Sequence, residues 1–271
     1  MHSEKRGREF YVLAFFFLLF VLFLYGPLSA ILILAFQGPN GGLTFPLNGV
    51  SLHWFGNLFE QQAVGDFGGS FRRSFGLGVM VMVVTVFVSL LAGLAFRRKF
   101  IGATPLFYLS VASLVVPSII ISLGIGVLFQ QLGLEPSWYT SAFGAHLTWT
   151  LPFGVLIMLA VFNRFSPSYE EAARDLGASA WQTFAHVVLP MIAPSLIGVG
   201  LFGFTLSYDE FARTLMTSGT YNTLPLEIYG MTTNVTTPVL YALGAVTTLF
   251  SFLVIAATLG LIVTLNRRHS R

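Results

Sequence analysis

Two short stretches of this 271-residue chain gather ionisable side chains closely enough to do chemistry. The first, "EEAARDLG" (residues 170–177), sets Glu170, Glu171, Arg174 and Asp175 within six residues. The second, "SYDEFAR" (207–213), brings Asp209, Glu210 and Arg213 together beside Tyr208. Carboxylates near a base suit proton transfer, cation binding or a salt-linked contact with another molecule. The rest of a catalytic repertoire is missing. The five histidines stand apart at 2, 53, 146, 186 and 269, and neither a His-Glu-x-x-His zinc pattern nor a Gly-x-Ser-x-Gly elbow occurs. A lone histidine reads as structural rather than as a ligand. With no cysteine, disulfide, thiolate and iron–sulfur chemistry are excluded. Lys5 and Lys99 are the only lysines and neither follows a glycine, so no G-x-x-x-x-G-K-[ST] loop is present to cradle a nucleotide phosphate. The chain reads as a non-enzyme with no catalytic residues, metal site or cofactor of its own.

What must hold those two stretches in place is a membrane. The chain is 55% hydrophobic and 9% charged, with 28 phenylalanines, outside the range of soluble domains. Residues 10–36, 74–96, 100–134, 136–163, 176–208 and 228–266 contain no Asp, Glu, Lys or Arg. Each interval exceeds the roughly 20 residues that cross a hydrocarbon core about 30 Å thick. Continuous apolar runs exclude a β-barrel, whose strands alternate in polarity, and only helices satisfy every backbone group within one segment. The expectation is an all-α, polytopic protein with six transmembrane helices in a single domain over 1–271. The first apolar run is too long for a cleaved signal peptide and reads as a retained helix. The net charge of +3 sits at the membrane edges and calls for no nucleic acid.

Lys5, Arg6 and Arg8 precede the first span, Arg97, Arg98 and Lys99 follow the second, and Arg267, Arg268 and Arg271 follow the sixth. Six crossings put all three clusters on one side, which the positive-inside rule makes cytoplasmic. Arg72 and Arg73 fall on the other side and break the rule, at the end of a long external loop, 37–73. That topology places both termini inside, and makes 163–190, between the fourth and fifth spans, the largest cytoplasmic loop. The segment 217–238 faces outward.

Within 163–190, Ser166 or Ser168 is positioned to cap a helix whose first turn carries acids and whose body includes Ala172, Ala173 and Leu176. Gly177 ends it. A second short helix runs from about Ser179 toward Val188, and Pro190 and Pro194 mark the start of the fifth span. The outcome is a helix–Gly–helix hairpin at the membrane surface. Lipid-surface helices carry Lys and Arg on their polar face; this one carries three acids and one base, which favours docking on a protein.

Glu171, Ala172 and Ala173, then Gly177, then "VVLP" ending at Pro190, resemble the EAA loop of ABC-importer permeases. The resemblance implies that Glu170, Glu171, Arg174 and Asp175 make polar contacts at the rim of a groove in an ATP-binding subunit. Ala172, Ala173 and Leu176 fill that groove, and Gly177 lets the backbones approach. The stretch "LSYDEFARTLMTSGTYNTLPLEIYGM" is similar to the spermidine/putrescine-type branch of the family. Its implied partners are a pair of ATPase subunits holding ATP and Mg, a second homologous permease and an extracytoplasmic substrate-binding protein. The implied place is the bacterial inner membrane, and the implied cargo a polyamine or related small amine.

Tyr208, Asp209, Glu210 and Arg213 lie in the outer part of the fifth span if it begins after Pro194, where ionisable groups default to function. An i,i+4 pair between Asp209 and Arg213 still leaves one carboxylate over, which would suit a cationic cargo. If the helix begins at Leu189, Asp209 sits in the headgroup layer. An ion-coupled secondary carrier is the competing class; it calls for ionisable residues deep in several helices. Gly198, Gly200 and Gly203 are expected at a close helix contact, Pro117 at a kink in the third span, and Trp54 and Trp138 as interfacial anchors.

Overall fold

The computed structural model describes residues 7–60, 65–234 and 237–269; Lys5, Arg6 and Arg271 lie outside these. Its elements are helices, and the described residues hold no strand, only one isolated bridge between Gln37 and Val50. In chain order they are α1 (Arg8–Leu34), α2 (His53–Asn57), α3 (Phe67–Phe96), α4 (Ala103–Ala112), α5 (Ser118–Gln131) and α6 (Ser141–Arg164). There follow α7 (Ser168–Asp175), α8 (Ala180–Tyr208), α9 (Leu224–Asn234) and α10 (Val239–His269). The chain divides into two compact units, Met1–Gly65 with Gly230–Phe250 and Asp66–Tyr229 with Ser251–Arg271.

In the first unit α1 is apolar on every side and leaves its Phe side chains and most of its Leu side chains exposed, as a lipid-facing helix does, with Leu34 buried at its end. The loop after it is not loose. Fully buried Gln37 accepts from Asn48 N at 2.6 Å and donates to Gly42 O at 3.2 Å, and Tyr241 Oη donates to Leu43 O at 2.6 Å. Trp54 is no interfacial anchor: it is 8% exposed, with its indole N–H on Gly38 O. A buried loop carbonyl needs a donor, and that need places the indole inside.

The second unit is built on α3, α6 and α8, packed along their lengths. Met158 and Phe162 of α6 and Val188, Ile192, Leu196 and Val199 of α8 form one core cluster; Leu77, Val81 and Ala142 form another, with Trp138 packed against it. Missing side chains let the helices approach. A Cβ at Gly93 would lie 2.9 Å from both Met158 and Phe162, one at Gly200 would lie 3.2 Å from Val86, and one at Gly203 would lie 3.3 Å from Thr85. Gly198, expected at the same contact, has nothing within 4 Å.

Among the described residues five helices are long and apolar enough to cross a membrane. The expected third span, 100–134, is divided: α4 and α5 have 10 and 14 residues, or about 15 and 21 Å at 1.5 Å per residue. Pro117 does not kink a continuous helix but stands at the N-cap of α5, because it offers no N–H and forces the residue before it out of helical geometry. The fifth span departs from expectation in the other direction. No separate short helix ends near Val188; α8 runs unbroken for 29 residues, about 44 Å, through Pro190 and Pro194. A π turn at Phe184–Val188 precedes Pro190 and widens the backbone where a proline ring would strike a carbonyl one turn back.

The glycine contacts give a paired test. Gly200→Leu is expected to push α8 from α3 and cost about 1–3 kcal/mol, while Gly198→Leu is expected to leave the thermal unfolding midpoint of the detergent-solubilised chain nearly unchanged.

Candidate functional site

The charged hairpin is α7, a turn, and the start of α8. Its first helix has Pro167 at the N-cap with no side-chain cap, so neither Ser166 nor Ser168 closes it; Ser166 Oγ pairs with Ser168 Oγ at 3.0 Å and accepts from Ser168 N at 3.4 Å. The second half is capped by a capping box, in which Ser179 Oγ accepts from Gln182 N and Gln182 Oε1 accepts from Ser179 N at 2.8 Å. Gly177 between them adopts φ +86, a left-handed conformation that L side chains resist, and the space where its Cβ would stand is open.

The two neighbouring glutamates have different surroundings. Glu170 turns inward: its Oε1 accepts from Arg97 Nη1 at 2.6 Å, and Arg174 lies 4.0 Å from its other oxygen. Glu171 is exposed, as are Ala172, Arg174, Asp175 and Gly177, while Ala173 is half-buried. Leu176 is 89% exposed and Trp181 72% exposed, far beyond what an apolar side chain of a finished surface normally shows. Between them Leu176, Gly177, Ala178, Gln182, His186 and Val187 line a shallow concavity of about 360 Å³. Sequence reasoning missed Trp181 and Arg97; an aromatic inside a polar loop was the available signal for the first, and Arg97 was read only as a topology marker.

At the other end of α8 lies a buried polar seam. The helix stops at Tyr208, and Asp209 is its C-cap, exposed and in no salt bridge among the described residues. The chain then folds back without regular structure through 209–223. Arg213 is therefore not one helical turn above Asp209. Its partner is Glu210, whose Oε1 accepts from the Arg213 backbone N at 2.8 Å and whose Oε2 lies 3.8 Å from the guanidinium. Arg213, 2% exposed, also donates to Ser118 Oγ at 2.6 Å and Thr148 Oγ1 at 3.2 Å and lies 4.5 Å over the Trp149 ring. Tyr208 is buried, stacked on Phe204. Of the four residues expected on a solute path, Asp209 alone is exposed.

Hydroxyl groups complete the seam. Ser122 Oγ donates to Arg213 O, Ser141 Oγ donates to Thr217 O and Ser113 Oγ donates to Thr148 O, at 2.7–2.9 Å. Thr214 Oγ1 gives its one proton to Glu210 O, so it accepts from His146 Nε2 at 2.9 Å; His146 Nδ1 then accepts from Ser207 Oγ at 2.8 Å. His146, fully buried with both ring nitrogens engaged, is structural. Nearby, Arg73 is held by Asn222 O at 2.6 Å and Asp66 Oδ2 at 3.1 Å, which accounts for a basic residue that breaks the positive-inside pattern. Among the described residues no group of three or more His, Asp or Glu side chains is able to hold a metal.

A bundle of long apolar helices, in which one 29-residue helix joins an exposed hairpin to a buried polar seam, has the build of a membrane-embedded component. Residues 85–270 match the family described as binding-protein-dependent transport system inner membrane component, and the chain belongs to that family. It is a multi-pass membrane protein and a transport component. It is 26% identical over 238 residues to the spermidine/putrescine transport system permease protein PotC of Escherichia coli (strain K12), covering 87% of this chain and 88% of that one. The Haemophilus influenzae PotC is 25% identical over 94% of this chain and 97% of its own, and the E. coli K12 putrescine permease PotI is 27% identical over 76% and 75%. The fold is similar to a bacterial ABC transporter involved in import of the acidic polysaccharide alginate (TM-score 0.68, 15% identity, 97% and 96% covered). It is also similar to the MetNI methionine ABC transporter in an inward-facing conformation (TM-score 0.56, 16% identity, 73% and 95% covered).

Removing one member of the buried pair should be costly. Arg213→Met strands Glu210 without its counter-charge and is expected to cost about 3–5 kcal/mol; Arg213→Met with Glu210→Gln should recover part of that, read as the thermal midpoint of the purified chain.

Proposed function

We propose that this chain is the permease subunit of an ATP-driven ABC importer, forming half of a path for a small cationic solute, with ATP and Mg bound on a separate subunit. The observation that carries the proposal is the hairpin at 163–190: two apolar side chains, Leu176 and Trp181, stand almost bare beside a shallow concavity, in a loop with the family's EAA pattern. Glu171, Arg174 and Asp175 supply the polar rim of that contact, Ala172, Ala173, Leu176 and Trp181 its apolar centre, and Gly177 the turn between its halves. Glu170 belongs to the same loop but acts from within, through Arg97. The hairpin faces the cytoplasm, with both termini on that side of a bacterial inner membrane. The remaining partners are a second, homologous permease and an extracytoplasmic binding protein that meets the loops 37–73 and 217–238.

The mechanics follow from stiffness. When the ATPase dimer closes, a helix seated in its groove is displaced as a rigid body, and α8 carries the displacement about 44 Å without a break. The far end is fixed to α5 and α6 through Arg213 and its hydroxyl partners, so α8, α5 and α6 shift together between two states. ATP biases one state and cargo the other. An ion-coupled carrier would need charges deep in several spans; here the buried ion pair, Glu210 and Arg213, is satisfied internally.

The cargo reading rests on the names of PotC and PotI together with Asp209, whose exposed carboxylate at the end of α8 attracts a cation. Putrescine or spermidine is the proposed class.

Two experiments test these readings. Purified from its native membrane, the chain should bring down an ATP-hydrolysing subunit, and Gly177→Arg should retain ATP hydrolysis while lowering uptake about tenfold or more; normal uptake by that variant, or purification with no ATPase, refutes the importer. Asp209→Asn should raise the KM for putrescine uptake about threefold to tenfold at low ionic strength, and an unchanged KM removes Asp209 from the path.

A further inference from the structure

We infer that Arg97 and Glu170 form a positioning clamp, which sets the angle of the docking hairpin and ties its movement to α3 as well as to α8. The inference rests on the reading that the hairpin docks on a nucleotide-driven subunit, and it assigns a role to two residues that do not themselves touch that subunit.

The hairpin has two attachments to the bundle. One is covalent: its second half is the beginning of α8. The first half, α7, is held differently. Eight residues of isolated helix are too few to be stable alone, and α7 has no fully buried residue, only a shallow packing of its half-buried face against the first turns of α8. Among the described residues, the Arg97–Glu170 bond is the only hydrogen bond or salt bridge from a side chain of α7 to another helix segment. Arg97 is the C-cap of α3, and its guanidinium lies 5.1 Å from the Phe162 ring and 5.4 Å from the Phe165 ring. Phe162 is in the α6–α8 core, pressed against Gly93 of α3. Arg97 is thus fixed on two aromatic faces before it reaches Glu170, and the two side chains are partly shielded, at 24% and 16% exposure. A guanidinium pre-positioned on two rings and bonded to a carboxylate at 2.6 Å is the kind of ion pair that transmits orientation rather than floating in solvent.

The consequence is a division of labour between adjacent glutamates: Glu170 holds the hairpin from inside while Glu171 remains exposed for the partner. Displacing α7 then pulls α3 through Arg97, whereas displacing α8 moves the bundle directly. Without the clamp, the hairpin still docks, but α7 swivels and part of each stroke is lost.

The test is a double-mutant cycle in the complete transporter, reconstituted in liposomes with its ATPase, second permease and binding protein, using labelled putrescine and spermidine as probes. Arg97→Ala and Glu170→Ala should each lower cargo moved per ATP hydrolysed by about threefold. The ATPase should still copurify at the wild-type level, and basal hydrolysis should persist. Arg98 and Lys99 remain to hold the topology. The double variant should be no worse than the poorer single one, since the two residues act through each other. Unchanged transport per ATP in both single variants overturns the clamp, as does a double variant whose losses multiply. Loss of the ATPase from either single variant also overturns it, because the pair would then be part of the interface. If the wild-type chain itself carries no ATPase, it is the importer reading that falls, and the clamp with it.

Discussion

Hydrocarbon offers no hydrogen bonds, and every part of this structure answers to that constraint. A buried, unpaired peptide group costs several kcal/mol there, so the chain is helical wherever it is continuous and apolar. The informative places are those where the helix fails. The break between α4 and α5 and the irregular return of 209–223 both expose backbone carbonyls within the bundle. Side chains make the repair: Ser122 binds Arg213 O and Ser141 binds Thr217 O in the irregular return, and Ser113, in the break, binds Thr148 O, a carbonyl of α6 left without an N–H because Pro152 stands four residues on. Arg213 and Glu210 are the charged centre of that repair. The serines and threonines here are substitutes for the backbone ladder rather than a reaction site.

Because the repair joins segments distant in sequence, it also makes a mechanical link. The rod α8 ends in it at Ser207, and α5 and α6 enter it through Ser118, Ser122, His146 and Thr148. At the opposite end the rod emerges as the capped start of the hairpin, with Trp181 exposed. Pro190 would ordinarily interrupt such a member; the π turn just before it accommodates the ring and keeps the helix whole. The same residue type thus breaks the third span and passes through the fifth. The difference lies in the preceding turn, which is unwound before Pro117 and widened before Pro190.

Much of the fold was legible. The absence of charges over long intervals located the five long helices and the apolar run holding α4 and α5, because placing a charge in hydrocarbon is expensive whatever the fold. The hairpin was legible for the same reason inverted, as a charged segment where none was needed. The second half of the hairpin was misread as a separate short helix, since a proline after an apolar run is a signal for a boundary and the π turn has no sequence signature. The pairing of Arg213 was misread as well, because i,i+4 spacing holds only inside a helix, and α8 ends at Tyr208.

The sequence by itself determined which segments are long and apolar enough to span a membrane, that the chain contains no phosphate-loop motif, and where ionisable side chains gather. These follow from local composition, which acts residue by residue. Only the tertiary structure decided that Glu170 faces Arg97 across 73 positions while Glu171 faces out, that Trp54 is interior, and that Glu210 and Arg213 neutralise one another and leave Asp209 exposed. Those outcomes depend on which side of a helix a neighbour approaches and on where a helix stops. Both are set by packing between distant segments, to which the order of residues along one helix is blind.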